Sequence, residues 1–326
     1  MITELTEAVD QFVDGAAIKG DIVYNGDIAK WKKLANSLRM LMALRLSERY
    51  PGASEYAATQ FKAALAHSAG HISANADNFA LVFPGGNFRN PYYGMYDGRK
   101  DYGESETMTN MLAVLGNDAR VNVFGADLNG GASALGVPYG RNRTWINNWC
   151  STNPNYAYVF DPDYRAQTSP QYIIKASTVL LARAEAADRG WTTETANTET
   201  LYQQGITASF TQWGLAAPAA AYFTDPDVDL TAVPGTGLNL QKIATQTWVA
   251  FFPDGAQGWA NWRRTGYPVL TPAPDATNDS GQIPRRYAYG TTDYSLASDS
   301  VKAAVVRQWG DEDNDTQDSR VWWDVL

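Results

Sequence analysis

Residues 27–50 read DIAKWKKLANSLRMLMALRLSERY, the longest uninterrupted helical pattern in the chain. Asp27 can cap its start, because a side-chain oxygen there accepts a free backbone N–H of the first turn. Pro51-Gly52 stands where the helix should stop. Between them Trp31, Leu34, Ala35, Leu38, Leu41, Met42 and Arg45 recur at spacings of three and four, which predicts one shared face. Such a face needs a partner. Ala57, Phe61 and Ala64 repeat the spacing after a short polar break, so an αα-hairpin is expected over 27–67.

Working outward, residues 1–14 carry Ile2, Leu5, Val9, Phe12 and Val13 at helical spacing. A connector follows from Gly15 to Asn25. Trp31, Leu34, Ala35 and Leu38 fit the first helix of a tetratricopeptide repeat, and Ala57, Phe61 and Ala64 fit its second. The gap between the halves is roughly ten residues longer than in that repeat. The same spacings also fit an ordinary amphipathic hairpin.

Residues 71–108 turn rich in Gly, Asn, Pro and Tyr, with room for one short strand at Ala80–Phe83. Ser105 or Thr107 can cap a short helix running to Leu115. Residues 116–169 form a second irregular region, with a short strand expected at Val121–Phe124 and a turn at Gly130-Gly131. A second strong helix is expected from Pro170 to Gly190, carried by Ile173, Ile174, Val179, Leu180, Ala184 and Ala187. Its partner is expected over Thr198–Trp213, which predicts a helix pair over 170–213. Residues 214–237 read as loop with at most a helical turn near Ala217–Phe223. Leu238–Phe252 reads as a further helix, Ala256–Arg264 as its continuation, and the tail from Thr265 as irregular. The fold class is therefore mainly α: helix pairs carrying long irregular loops and few short strands.

The chain has 326 residues, 44% of them hydrophobic, enough for a sizeable core. A net charge of −9, with no run of Lys or Arg, argues against nucleic acid as a partner, because phosphate neutralisation supplies most of that affinity. No segment approaches the ~20 apolar residues of a transmembrane span. The opening MITELTEAVDQFVDG has neither the basic nor the apolar part of a signal peptide. One Cys excludes an intrachain disulfide framework and a multi-Cys metal site. There is no nucleophile elbow, phosphate loop or dinucleotide fingerprint, and no cofactor is implied.

The aromatic residues point to binding. Eleven Trp and 18 Tyr must either fill a core or stand where something flat and apolar lands. The richest loop is Tyr139–Tyr158, where Tyr139, Trp145 and Trp149 alternate with Arg141, Asn142 and Asn147. Sugars lay their C–H faces on flat rings, Asn both donates to and accepts from hydroxyls, and Arg donates. Trp145 and Trp149 are four apart, so a short helix would put them on one face. The same rings would equally fill the base of the loop. Tyr92, Tyr93 and Arg99 form a second candidate in the 88–102 loop, where packing against the scaffold is the stronger expectation.

Two patterns suggest metals only weakly. His67 and His71 have the i, i+4 separation of zinc ligands, but Ser68 replaces the glutamate of the protease motif and no third His exists, so surface histidines are expected. Asp311, Asp313 and Asp315 resemble half of a calcium loop, but Thr316 and Trp322 stand where that loop needs Gly and Glu. Arg263-Arg264 and Arg285-Arg286 can pair with the acidic tail or touch a partner.

Several stretches in order carry a family likeness: WKKLANSLRMLMALRLS (31–47), NPYY (90–93), SETMTNML (105–112), ASTVLLARAEAADRGW (176–191), LYQQGITASFTQWG (201–214), TQTWVAFFPDGAQGWANWRRTGYPVL (245–270) and IPRRYAYG (283–290). Together they resemble the SusD/RagB family of outer-membrane nutrient-binding lipoproteins. Where that family often has a D-P-R turn, this chain has Asn117-Asp118-Ala119-Arg120. The resemblance implies one SusD-like domain over 1–326, truncated at its N-terminus to the C-terminal two-thirds of such proteins. It also implies a tetratricopeptide-like scaffold with ligand-type loops near 71–169. The expected function is non-catalytic: a cell-surface binder captures oligosaccharides, or sometimes peptides, and hands them to a SusC-like TonB-dependent transporter. Rival expectations are an all-α glycoside hydrolase or lyase, which as a hydrolase requires two carboxylates ~5–9.5 Å apart, and a peptide-binding SusD-like or helical-repeat scaffold protein.

Overall fold

A computed structural model describes residues 1–13, 15, 18–194, 197–230 and 238–325. The chain begins with α1 (Ile2–Gln11), α2 (Ile28–Arg45) and α3 (Tyr56–Leu65), followed by β1 (Phe79–Leu81). The middle holds α4 (Pro91–Tyr96), α5 (Glu106–Val114), α6 (Val121–Phe124), β2 (Gly125–Ala126), α7 (Arg143–Thr152) and β3 (Tyr158–Val159). Then come β4 (Gln171–Ile174), α8 (Ala176–Asp188), α9 (Thr198–Gln212), α10 (Ala220–Phe223), α11 (Leu238–Phe251), α12 (Gly255–Thr265) and α13 (Thr291–Trp309). The described residues are thus mainly helical, with two small antiparallel sheets, β1–β4 and β2–β3.

Local chemistry sets the helix starts. The Asp27 carboxylate accepts from the Lys30 N–H at 3.1 Å, as the sequence predicts. Ser105 caps α5, Asn197 caps α9 and Asp254 caps α12 in the same way. The end of α2 comes earlier than expected: Leu46–Tyr50 form turns before Pro51-Gly52 is reached. Nor does α2 bury a single stripe. Leu34, Ala35, Asn36, Ser37, Met40, Ala43 and Leu44 are all buried, because α1, α3 and α8 pack around it. Leu38, Leu41, Met42 and Arg45 instead line a cavity of about 270 Å3 beside α8, α11 and α12. Trp31 is half-buried against Tyr24 and Phe79, with its indole N–H bonded to Asp21 at 2.8 Å.

The centre of the molecule is α8, where ten of 13 residues are buried. One side of it, with Val179, Ala182 and Ala186, meets α2 and α3 around Met40, Phe61 and Ile72. The other side, with Leu180, Leu181 and Ala184, meets α9 and α11 around Tyr202, Ile206, Phe210 and Val249. Gly205 lets α9 approach: a Cβ there would lie 2.7 Å from Leu181. α8 also carries the principal buried ion cluster. Glu185 accepts from Arg264 at 2.5 and 2.7 Å and from Arg189 at 2.8 Å.

Four expectations fail here. Pro170 does not open a helix; Gln171–Ile174 are β4, paired with β1, so Ile173 and Ile174 are strand residues. A short apolar run fits either period, and the partner strand some 90 positions away decides it. Val121–Phe124 is a helical turn instead of a strand, because the Asp118 carboxylate accepts from Arg120 N–H and starts the turn. The tail is not wholly irregular: α13 runs over Thr291–Trp309 with a kink at Ala297, where the backbone leaves the helical region, and is closed by Gly310 in the left-handed region. Only Val301 and Val305 are buried in it, too few to write an apolar period. His71 is not a surface histidine, since both ring nitrogens are buried without a hydrogen bond, and burial lowers its pKa.

Candidate carbohydrate platform

The region from Tyr139 to Tyr158 does contain a helix, α7, and none of its residues is buried. Asn142 begins it, accepting from the Trp145 N–H at 3.1 Å. That cap occupies the Asn142 carbonyl oxygen, while its amide donates to Asp275 at 3.2 Å. Asn142 is therefore a positioning residue. Trp145 is 39% exposed, with the Arg141 guanidinium 5.1 Å from its ring centre. Asn147 is exposed on the same short helix. Trp149 is half-buried and faces Tyr156, with ring centres 6.2 Å apart. So the two indoles part company: Trp145 opens to solvent and Trp149 joins the loop's own core.

Three residues that sequence reasoning passed over hold this platform in place. Asp275 accepts from the Asn142 backbone N–H at 2.8 Å and lies 3.5 Å from Arg141. The Tyr139 hydroxyl donates to the Thr271 carbonyl. Gly140 has φ +67°, and a Cβ there would press on Ala273 at 2.5 Å. No local signal links 139–142 to 271–275, which lie some 130 residues apart.

The second candidate loop is joined to the first through rings. Trp149 leads to Tyr156, then to Tyr158 at 4.5 Å, then to Tyr96 at 5.6 Å, which lies under Arg165 at 4.0 Å. Tyr92 packs edge-on to Phe160 at 5.1 Å in the main core. Tyr93 lies under Arg89 at 5.1 Å, and Arg99 pairs with Asp101 at 2.6 Å. The packing expected of this loop holds for Tyr92, while Arg99 stands in an exposed ion pair.

Of the two basic pairs, the acidic tail clasps Arg285-Arg286, while Arg264 pairs with Glu185 of α8. Asp315 takes Arg286 at 2.5 Å and the Tyr294 hydroxyl at 2.8 Å. Arg285 pairs with Asp324, and the Arg263 guanidinium lies 3.7 Å from the Trp259 ring centre. Asp311 accepts from the Asp313 N–H at 2.9 Å. Among the described residues no cluster of three or more His, Cys, Asp or Glu is arranged to hold a metal. No described helix is long and apolar enough to cross a membrane.

A SusD-like family described as "Starch-binding associating with outer membrane" matches residues 1–290. The chain belongs to this family. Among solved structures, this SusD-like chain resembles a chitin-binding protein at 28% identity and TM-score 0.76, over 100% of this chain and 71% of that one. It resembles a SusD homologue from Bacteroides uniformis at 26% identity and TM-score 0.83, over 100% and 72%. It resembles a chitin-binding SusD homologue from Flavobacterium johnsoniae at 26% identity and TM-score 0.81, over 99% and 70%. No curated protein matches it. Asp118-Ala119-Arg120 forms a buried ion-paired turn. Both charges are fully buried 2.5 Å apart, and Arg120 also reaches Ser209 and Gln246.

Proposed function

We propose that this SusD-like protein is a cell-surface glycan-binding subunit that captures oligosaccharides at α7 and performs no chemistry on them. It passes them to a SusC-like TonB-dependent transporter in the outer membrane. The observation that carries this is the exposed Trp145 ring, with the Arg141 guanidinium against it and the start of its helix braced from Asp275. A flat apolar face with hydroxyl-reading groups at its edge is what a sugar ring requires. A solvated indole held in place needs no reordering on binding, which favours affinity. The family description supports a glycan and the outer membrane, and two chitin-binding relatives make oligomers of N-acetylglucosamine the first probes.

Titration with chitotriose and maltotriose tests it. Trp145→Ala should weaken binding about tenfold or more, the loss of roughly 1.4 kcal/mol, with an unchanged melting temperature. Unchanged affinity would move the site away from α7. New reducing ends after incubation with either sugar would overturn the non-catalytic assignment.

A further inference from the structure

A cleft of about 460 Å3 lies between the α4–α5 region and the α11–α12 corner. That volume falls within the ~300–1,000 Å3 of small-molecule sites. Its walls are rings: Tyr92 and Tyr102 on one side, Trp248, Trp259 and Trp262 on the other. Glu104 also lines it, only 4% exposed. Among the described residues, the only hydrogen bond to the Glu104 carboxyl group comes from the Ser105 backbone N–H, at 3.2 Å.

The indole walls are rigid. The Trp259 N–H donates to the Pro284 carbonyl at 2.8 Å, and Arg285 lies 5.1 Å from the Trp262 ring centre. Gly258 lets α12 approach the Trp248 ring closely, because a Cβ there would meet the indole nitrogen at 3.3 Å.

We propose that this cleft is a second sugar site, taking one neutral pyranose ring between its indole and phenol faces, with Glu104 bonded to the ring's hydroxyls. For the class of ligand it rests on the glycan-binding function proposed above. The chemistry selects a neutral ligand. Among the described residues no cation lines the cleft, so an anion has no partner there. Burial pushes the Glu104 carboxyl up to about 8, so at neutral pH it is largely protonated, both donor and acceptor, as a hydroxyl pair requires. The other acid of the lining, Asp254, is engaged in capping α12 at Gln257 N–H, 3.1 Å away. A cationic ligand is disfavoured as well, since Trp259 and Trp262 already carry Arg263 and Arg285 against their rings.

The test follows indole N–H resonances of the full chain during titration with chitotriose and maltotriose, with tetramethylammonium as a cationic control. Trp248, Trp259 or Trp262 should shift with a sugar, in the wild type and in Trp145→Ala alike. Glu104→Leu should weaken those shifts about tenfold while leaving the Trp145 response intact, and Glu104→Gln should retain most of the affinity. Gly258→Leu, which fills the cleft, should abolish them. Thermal melts confirm that each variant folds. Shifts at Trp145 alone would overturn the cleft and leave α7 standing. Shifts in the cleft alone would do the reverse. Shifts with tetramethylammonium and neither sugar would overturn the neutral-ligand assignment, and silence with all three probes would overturn both sites.

Discussion

Lys175 precedes α8 with its ammonium sealed in the core, donating to the Phe252 carbonyl at 3.0 Å. Burial lowers its pKa from 10.5 to about 7. Between those values the unfolded chain holds a proton that the folded chain has lost, so this lysine makes stability rise with pH from about 7 to 10.5. Lys175→Met should remove that slope, so its gain in stability over the wild type should be about 4 kcal/mol larger at pH 6 than near pH 10, by urea unfolding. The binding candidates show how far single residues are legible. Trp145 and Arg141 announce themselves because indole, guanidinium and amide rarely crowd one loop without purpose. Asp275 and Glu104 do not, since an isolated carboxylate has no signature until the fold brings its surroundings.

At the level of elements, α8 unites two clusters because it is buried almost all round, and Glu185 is the polar consequence. Burial alone would raise the Glu185 carboxyl, but Arg264 and Arg189 outweigh it and hold it down to about 2. Its contribution is present above the ordinary carboxylate range and lost as pH falls toward 2. Glu185→Gln leaves Arg264 facing a neutral amide in a dry interior and should cost about 3–5 kcal/mol at pH 7, read by chemical denaturation. Helices with caps and partners were legible: α3, α5, α9, α11 and α12 stand close to their expected limits, while α2 starts where expected and stops at Arg45, short of Tyr50. β4 was not, because Tyr172-Ile173-Ile174 carries no period of its own. α13 was not, because two valines are too little to write one.

Taken whole, the molecule is a helical core with a long C-terminal segment doubled back over it. Arg285 and Arg286 bind Asp324 and Asp315, and Trp323 lies 4.8 Å from the Arg263 guanidinium of α12, so the C-terminal segment closes against that helix. The segment between α12 and α13 does more than connect them. Thr271 and Asp275 reach across to Tyr139, Arg141 and Asn142, while Val269 nearby is 76% exposed. The proposed sugar platform is therefore tethered to a strap that a protease can reach. A single cut between Tyr267 and Asp275 should leave the helical circular dichroism intact and abolish the Trp145 response to sugar. The protein would lose its grip on nutrient before it lost its shape, and its working life in a protease-rich setting would be set by that strap, whatever the melting temperature of the core.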